Sequence, residues 1–247
     1  MTRTRCRPVI RLNRPATNRN ANIRISEIPP SAKTLPKKRV GLLGGSFNPA
    51  HDGHRAVSLE AIRHLRLDEV WWLVSPQNPL KSHREMATFE ARLASARHMA
   101  AGFSKLIVTD LEQRLGTRYT VDTVRRLLRD NKADFAWLIG ADNLVQLPKW
   151  RSWQDLLNLV PIAVFDREPY SYGALAGRVA RAYSAHRIQP RDAAGLVRAD
   201  PPAWVYFRLR RHPVSSTAIR HRNVWPASLG PAETVLAQGG QPEEQSS

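Results

Sequence analysis

Apolar positions along this chain follow two alternating rhythms. Short continuous apolar runs, the mark of strands buried on both faces, begin at Arg39 with Val40–Gly44 and recur at Glu69–Val74, Lys105–Val108, Asp134–Ile139, Pro161–Phe165 and Trp204–Leu209. Segments with helical spacing run between them. Gly53–Leu65 places Ala56, Leu59, Ile62 and Leu65 on one face, and Thr88–Ala101 reads as a second helix. A third starts at Thr120, with Val121, Val124, Leu127 and Leu128 as its stripe. Helices are further predicted over Trp153–Leu159 and Ala174–His186, with a short one from Ser216. Strands alternating with helices predict an α/β fold with a doubly wound parallel sheet covered on both faces. Ligands of such sheets sit beyond the carboxyl ends of the strands, so the loops after Gly44, Val74, Val108 and Ile139 are expected to carry function.

Composition narrows this picture in three ways. The 247 residues suit one α/β domain and are short for two. No apolar run approaches the roughly 20 residues that span a bilayer, so no membrane is expected. The single cysteine, Cys6, excludes a disulfide framework and a cysteine-based metal site, which fits a reducing cytoplasm.

The formal charge of +17 invites a nucleic-acid reading, but it is unevenly spread. Met1–Arg39 holds eleven Lys and Arg against one acid, Glu27. Residues 1–38 have no apolar periodicity and are expected to be a basic disordered leader. They lack the apolar stretch of a secretory signal. Residues 39–238 are expected to form the domain, and 239–247 a disordered tail. No specific nucleic-acid partner is assigned, and association into a homo-oligomer stays open.

The chemistry concentrates in Gly44-Gly-Ser-Phe-Asn-Pro-Ala-His-Asp-Gly-His54, which leaves a strand and opens a helix. Gly44 and Gly45 allow close approach of a ligand to the backbone. A helix start offers N–H groups and a positive dipole end, which together suit phosphate. His51 and His54 are three apart and share one face of that turn. A His-x-x-His pair also suits a metal, but no third ligand is evident, so no metal ligands are assigned. Further on, Val214-Ser-Ser-Thr-Ala-Ile-Arg220 combines a helix cap at Ser215 or Ser216 with a guanidinium a turn later.

GGSFNPAHDGH resembles the G-x-F-x-P-x-H-x-G-H signature of the HxGH nucleotidyltransferase superfamily, with Gly45, Phe47, Pro49, His51, Gly53 and His54 all in place. Val214–Arg220 resembles its second signature, I-S-S-T-x-I-R. Three further segments resemble the bacterial nicotinate-nucleotide adenylyltransferases: Ser75–Lys81, Tyr119–Val124, and Leu138–Leu144 with Leu147–Trp150. The likeness covers about Arg39 to Arg220.

This resemblance implies a Rossmann-like nucleotidyltransferase fold, ATP and nicotinate mononucleotide as substrates, and a short terminal helix over 228–237. It implies catalytic roles for His51, His54 and Arg220. Gly44, Gly45, Ser46, Phe47, Gly140, Asp142, Ser216 and Thr217 would line the ATP side, and Lys81, Thr120, Val121 and Trp150 the acceptor side. N–H groups of Thr120 and Val121 would take the nicotinate carboxylate, Trp150 would stack on the pyridine ring, and Mg2+ would ride on the ATP phosphates without a protein cage. Two alternatives remain at this point: a relative with another acceptor, and a non-catalytic binder led by the basic extension.

Overall fold

The structure is a computed structural model, and it describes residues 36–76, 86–130, 132–166 and 171–209. The leader, Lys81, Ser216, Thr217, Arg220, the helices expected from Ser216 and over 228–237, and the tail lie outside these residues.

Seven parallel strands form one sheet in the order β3-β2-β1-β4-β5-β7-β6. They are β1 (Lys38–Gly45), β2 (Glu69–Val74), β3 (Leu106–Thr109), β4 (Ala133–Gly140), β5 (Ile162–Asp166), β6 (Arg187–Ile188) and β7 (Trp204–Arg208). The expected doubly wound sheet is therefore present, with a two-residue edge strand, β6, that is too short to leave a pattern. The helices are α1 (Asp52–Leu65), α2 (Phe89–Ala100), α3 (Leu111–Leu115), α4 (Thr120–Asp130), α5 (Ala141–Gln146), α6 (Trp153–Leu159), α7 (Ser171–Leu175) and α8 (Arg178–Ala182). No helix among the described residues is long and apolar enough to cross a membrane.

Because strand side chains alternate between faces, each apolar run feeds two cores. Phe135, Trp137 and Ile139 of β4, with Ile162 and Val164 of β5 and Trp204 and Tyr206 of β7, pack under α4, α5, α6 and α8. Ala136, Leu138, Ala163, Phe165, Val205 and Phe207 face the other way, against α1, α2 and the 3-10 run Pro190–Arg198. Burial on both faces is why these strands read as continuous rather than alternating apolar runs.

Two sequence expectations need correction. The buried face of α1 is Gly53, Val57, Ser58, Ala61 and Leu65, not the expected stripe through Ala56, Leu59 and Ile62; Leu59 is 40% exposed. The helix turns its smaller residues to the sheet. Ser58 also takes the indole N–H of Trp72 at 2.7 Å while donating to the His54 carbonyl at 2.9 Å. The helix expected over Ala174–His186 is broken into the end of α7, then α8, and a 3-10 turn at Ser184–His186. Gly177 is the cap that starts α8, and a Cβ there would stand 3.1 Å from the Ala174 carbonyl oxygen.

Ser58→Ala should lower stability by about 1–3 kcal/mol, because it strands the buried Trp72 N–H without an acceptor. Urea unfolding checks this, and an unchanged midpoint would show that the hydroxyl does not carry the α1–β2 contact.

Candidate active site

Chain direction reverses across the sheet between β1 and β4. From β1 the chain moves outward to β2 and β3; from β4 it moves the other way to β5, β7 and β6. The carboxyl ends of β1 and β4, at Gly45 and Gly140, thus flank the crevice where doubly wound sheets hold their ligands. β1 leaves this point without bulk. A Cβ on Gly44 would stand 2.8 Å from the ring of Trp137 on β4.

The turn that follows is tightly determined. Phe47 is 1% exposed and takes a left-handed φ of 47°, a conformation that costs a non-glycine residue about 1 kcal/mol or more. Its ring stacks on Trp72, with centroids 5.2 Å apart, and lies 4.7 Å from that of His54. Further on, the Ala50 N–H donates to Ser95 Oγ at 3.1 Å, and Asn48 Oδ1 accepts from the Ala87 N–H at 3.1 Å. The loop is latched to α2 at Ser95 and to the approach to α2 at Ala87.

His51 and His54 together cap α1. His51 is the N-cap residue, 3% exposed, and its Nδ1 accepts the Gly53 N–H at 3.0 Å. In return, His54 Nδ1 accepts the His51 N–H at 3.2 Å. This is a capping box built from two imidazoles whose centroids are 3.9 Å apart. An accepting Nδ1 carries no proton, so each ring holds its donor on Nε2. The pair is thereby set as two N–H donors at a helix start, which suits phosphate oxygens.

Of the expected acceptor residues, Thr120, Val121 and Trp150 are described, and Lys81 lies outside the described residues. Thr120 opens α4 and is half-buried, and Val121 is buried. The Tyr119 carbonyl takes the N–H groups of Asp122 and Thr123, while those of Thr120 and Val121 head the helix, without partners inside it. Trp150 is half-buried against the core. The guanidinium of Arg151 lies 4.6 Å from the Tyr119 ring centroid, which joins the residue before Thr120 to the residue after Trp150. Arg118, Arg126 and Arg129 line a groove of about 420 Å³ with these two. Asp142 is half-exposed in the first turn of α5, two residues beyond Gly140.

Two groups near the site were not expected from sequence. Arg92 is 1% exposed and donates to four backbone carbonyls. A charged residue sharing the buried side of α2 with Ser95, Ala96 and Ala100 was the available signal. Glu112 of α3 accepts from Thr123 Oγ1 at 3.3 Å and lines a cavity of about 310 Å³ with Pro76, Thr117 and Arg118. Burial pushes its carboxyl up to about 7, against a smaller opposing effect of the Thr123 hydrogen bond. Nothing in the local sequence marks it. Among the described residues no group of three or more His, Cys, Asp or Glu is arranged to hold a metal ion.

The model of the cytidylyltransferase-like family matches residues 42–222, and the chain belongs to that family. Over 191 residues it is 49% identical to a protein of Parvibaculum lavamentivorans named "Probable nicotinate-nucleotide adenylyltransferase", covering 77% of this chain and 94% of that one. A protein of Methylorubrum extorquens with the same name is 47% identical over 185 residues, covering 74% of this chain and all of that one. Identity of this order over nearly the full length of these relatives places the chain in their nicotinate-nucleotide adenylyltransferase family. The fold is shared with Plasmodium falciparum nicotinic acid mononucleotide adenylyltransferase complexed with NaAD, at a TM-score of 0.57 and 16% identity, covering 74% of this chain and 83% of that one.

The Glu112 carboxyl has a pH signature. Below its ordinary value of 4.5 it is protonated in both the folded and unfolded states and contributes nothing. As pH rises from 4.5 toward about 7 the unfolded chain loses the proton first, so the folded state is progressively penalised, and above about 7 the penalty is complete. Glu112→Gln should therefore stabilise the protein at pH 8, by about 3 kcal/mol at most, and have little effect at pH 4. Denaturant midpoints at the two pH values test this; an equal change at both would refute the buried-acid account.

Proposed function

We propose that the chain transfers the adenylyl group of ATP to nicotinate mononucleotide, giving nicotinate adenine dinucleotide and pyrophosphate in NAD biosynthesis. The observation that carries this reading is the reciprocal cap of His51 and His54, which holds two imidazole donors at the helix start beside the sheet's switch point. The family assignment and the names of the relatives support the same reaction.

In the proposed mechanism the acceptor's phosphate oxygen attacks the α-phosphorus of ATP in line. A new P–O bond forms as the bond to the bridging oxygen breaks, and pyrophosphate leaves. The nucleophile is already an anion, so no general base is needed. Catalysis rests on positioning and on stabilising charge as it moves toward the leaving group. The Nε2–H groups of His51 and His54 contact α- and β-phosphate oxygens. Gly44, Gly45, Ser46 and Phe47 shape the turn that faces ATP, with Gly140 and Asp142 on the neighbouring strand end receiving its ribose. Ser216, Thr217 and Arg220 hold the departing pyrophosphate. Mg2+ would be held by the ATP phosphates, with no protein cage assigned, and would supply neutralisation of their charge. On the other side, the N–H groups of Thr120 and Val121 take the nicotinate carboxylate, Trp150 covers the ring, and Lys81 contacts the acceptor phosphate. The arginines beside Tyr119 suit an acceptor carrying both a carboxylate and a phosphate. The enzyme works in the cytoplasm.

His54→Ala should lower kcat on the order of 10²–10³-fold with a much smaller change in KM for ATP, since the lost donor acts where charge gathers in the transition state. Near-normal kcat in steady-state pyrophosphate release would remove His54 from the chemistry.

Nicotinate mononucleotide should be preferred over nicotinamide mononucleotide. A carboxylate accepts from both N–H groups at the start of α4, whereas an amide offers one acceptor and turns its NH₂ toward the remaining donor. Two donors are then left unpaired, the helix N–H and the amide N–H that faces it; at roughly 1–3 kcal/mol each, the preference should be about a hundredfold or more. Equal kcat/KM for the two acceptors would sink the acceptor assignment and leave the adenylyl transfer standing.

A further inference from the structure

Arg92 has an unusual set of partners. Its guanidinium is buried in the first turns of α2, yet among the described residues it forms no salt bridge with a carboxylate. Instead, Nη1 donates to the Ser46 carbonyl at 2.8 Å and to the Ser75 carbonyl at 2.7 Å. Nη2 donates to the Pro76 carbonyl at 2.9 Å, and Nε to the Ala87 carbonyl at 3.1 Å. These acceptors come from three separate segments: the turn after β1, the loop after β2 and the approach to α2. Taking a cation out of water costs several kcal/mol. Carbonyl dipoles repay part of this, and burial lowers the guanidinium's proton affinity from its ordinary value. An apolar residue would bridge the same gap without the desolvation cost, but it would not fix the direction of a peptide plane.

That direction is what the site needs. In a planar trans peptide the carbonyl and the following N–H point opposite ways. Holding the Ser46 carbonyl toward Arg92 therefore turns the Phe47 N–H away from it, and it fixes the plane immediately before a residue with φ of 47°. The same cation ties this turn to Ser75 and Pro76, the first residues of the loop that leads to Lys81. One rigid fork thus sets the ATP-facing turn and the base of the acceptor-facing loop in a single relative position.

We propose that Arg92 is a positioning residue for adenylyl transfer, locking the turn after β1 and the loop after β2 in register and placing a fixed positive charge behind the phosphate-facing backbone. The proposal rests on the adenylyl-transfer reading.

The test uses the full chain with R92K, which keeps the charge and loses the fork, and R92M, which loses both. The control is A96G, at a fully buried position on the same helix whose side chain makes no hydrogen bond to either loop. Pyrophosphate release is measured for each protein well below its own Tm. R92K should lose kcat on the order of 10- to 100-fold, the scale of a small misplacement of reacting groups, with KM for ATP little changed. R92M should lose kcat similarly and also raise KM for ATP. A96G should lower Tm and spare kcat. If R92K and R92M lower Tm while holding the kcat of A96G, Arg92 is merely structural and the proposal is overturned. Should neither arginine variant fold, the unmodified chain supplies the measurement. The Arg92 Nε–H and Phe47 amide resonances should both shift when ATP is added, and unmoved signals would overturn the proposal. Absence of pyrophosphate release from the unmodified chain with ATP and nicotinate mononucleotide would refute the activity itself, an outcome distinct from either of these.

Discussion

The structure depends on how closely α1 can begin above the end of β1. That strand lies at the middle of the sheet, between β2 and β4, and its last residues must leave room for a ligand where three strands crowd. Gly44 meets this constraint from below, because any Cβ there would strike the Trp137 ring. From above, Phe47 accepts a strained φ because its ring is wedged against Trp72 and His54. Glycine, a strained turn and a helix start are thus parts of one solution. The polypeptide gives up side chains at the sheet's centre so that backbone N–H groups and two imidazoles stand there instead.

The two histidines show how little separates folding from chemistry here. A serine or aspartate would cap α1 equally well. Imidazole does it with one nitrogen and keeps a second, and the cap fixes which nitrogen carries the proton. The same hydrogen bonds that stabilise the helix therefore set the tautomer and orientation of the donors. Ser58 extends this coupling into the core, since its hydroxyl bonds the His54 carbonyl and receives the Trp72 indole.

The fold was largely legible in the sequence, because a sheet covered on both faces makes each strand an unbroken apolar run, and Phe135 to Ile139 could be nothing else. The glycine-rich turn was legible for the same reason that it functions: few structures other than a ligand-facing strand end need Gly44, Gly45 and Gly53 so close together. Helix faces were harder. Leu59 looks like core by type, but α1 turns Ser58 and Ala61 inward, because close approach favours small residues over apolar ones. The break at Gly177 and the edge strand β6 are decided by tertiary packing. Arg92 was invisible because its partners are backbone carbonyls, and any residue provides a carbonyl. The segments around Tyr119 and Trp150 were legible only separately; the contact of Arg151 with Tyr119 is what joins them.

Charge around the crevice follows from what must bind there. A triphosphate and an anionic mononucleotide repel one another, and bringing them within bonding distance requires positive potential on both sides. Arg92 lies beneath the turn with no carboxylate salt bridge among the described residues, and Arg118, Arg126 and Arg129 line the groove beside Tyr119. Asp122 shares that groove, paired with Arg125, and Glu112 stands beside Thr117 and Arg118. Burial raises its proton affinity until it titrates near neutrality, so the penalty for ionising it falls on the fold and its negative charge on the crevice is reduced. An acid of ordinary pKa at the same place would be fully charged beside Arg118. The burial that pushes this proton back on thus limits the negative charge that faces the groove.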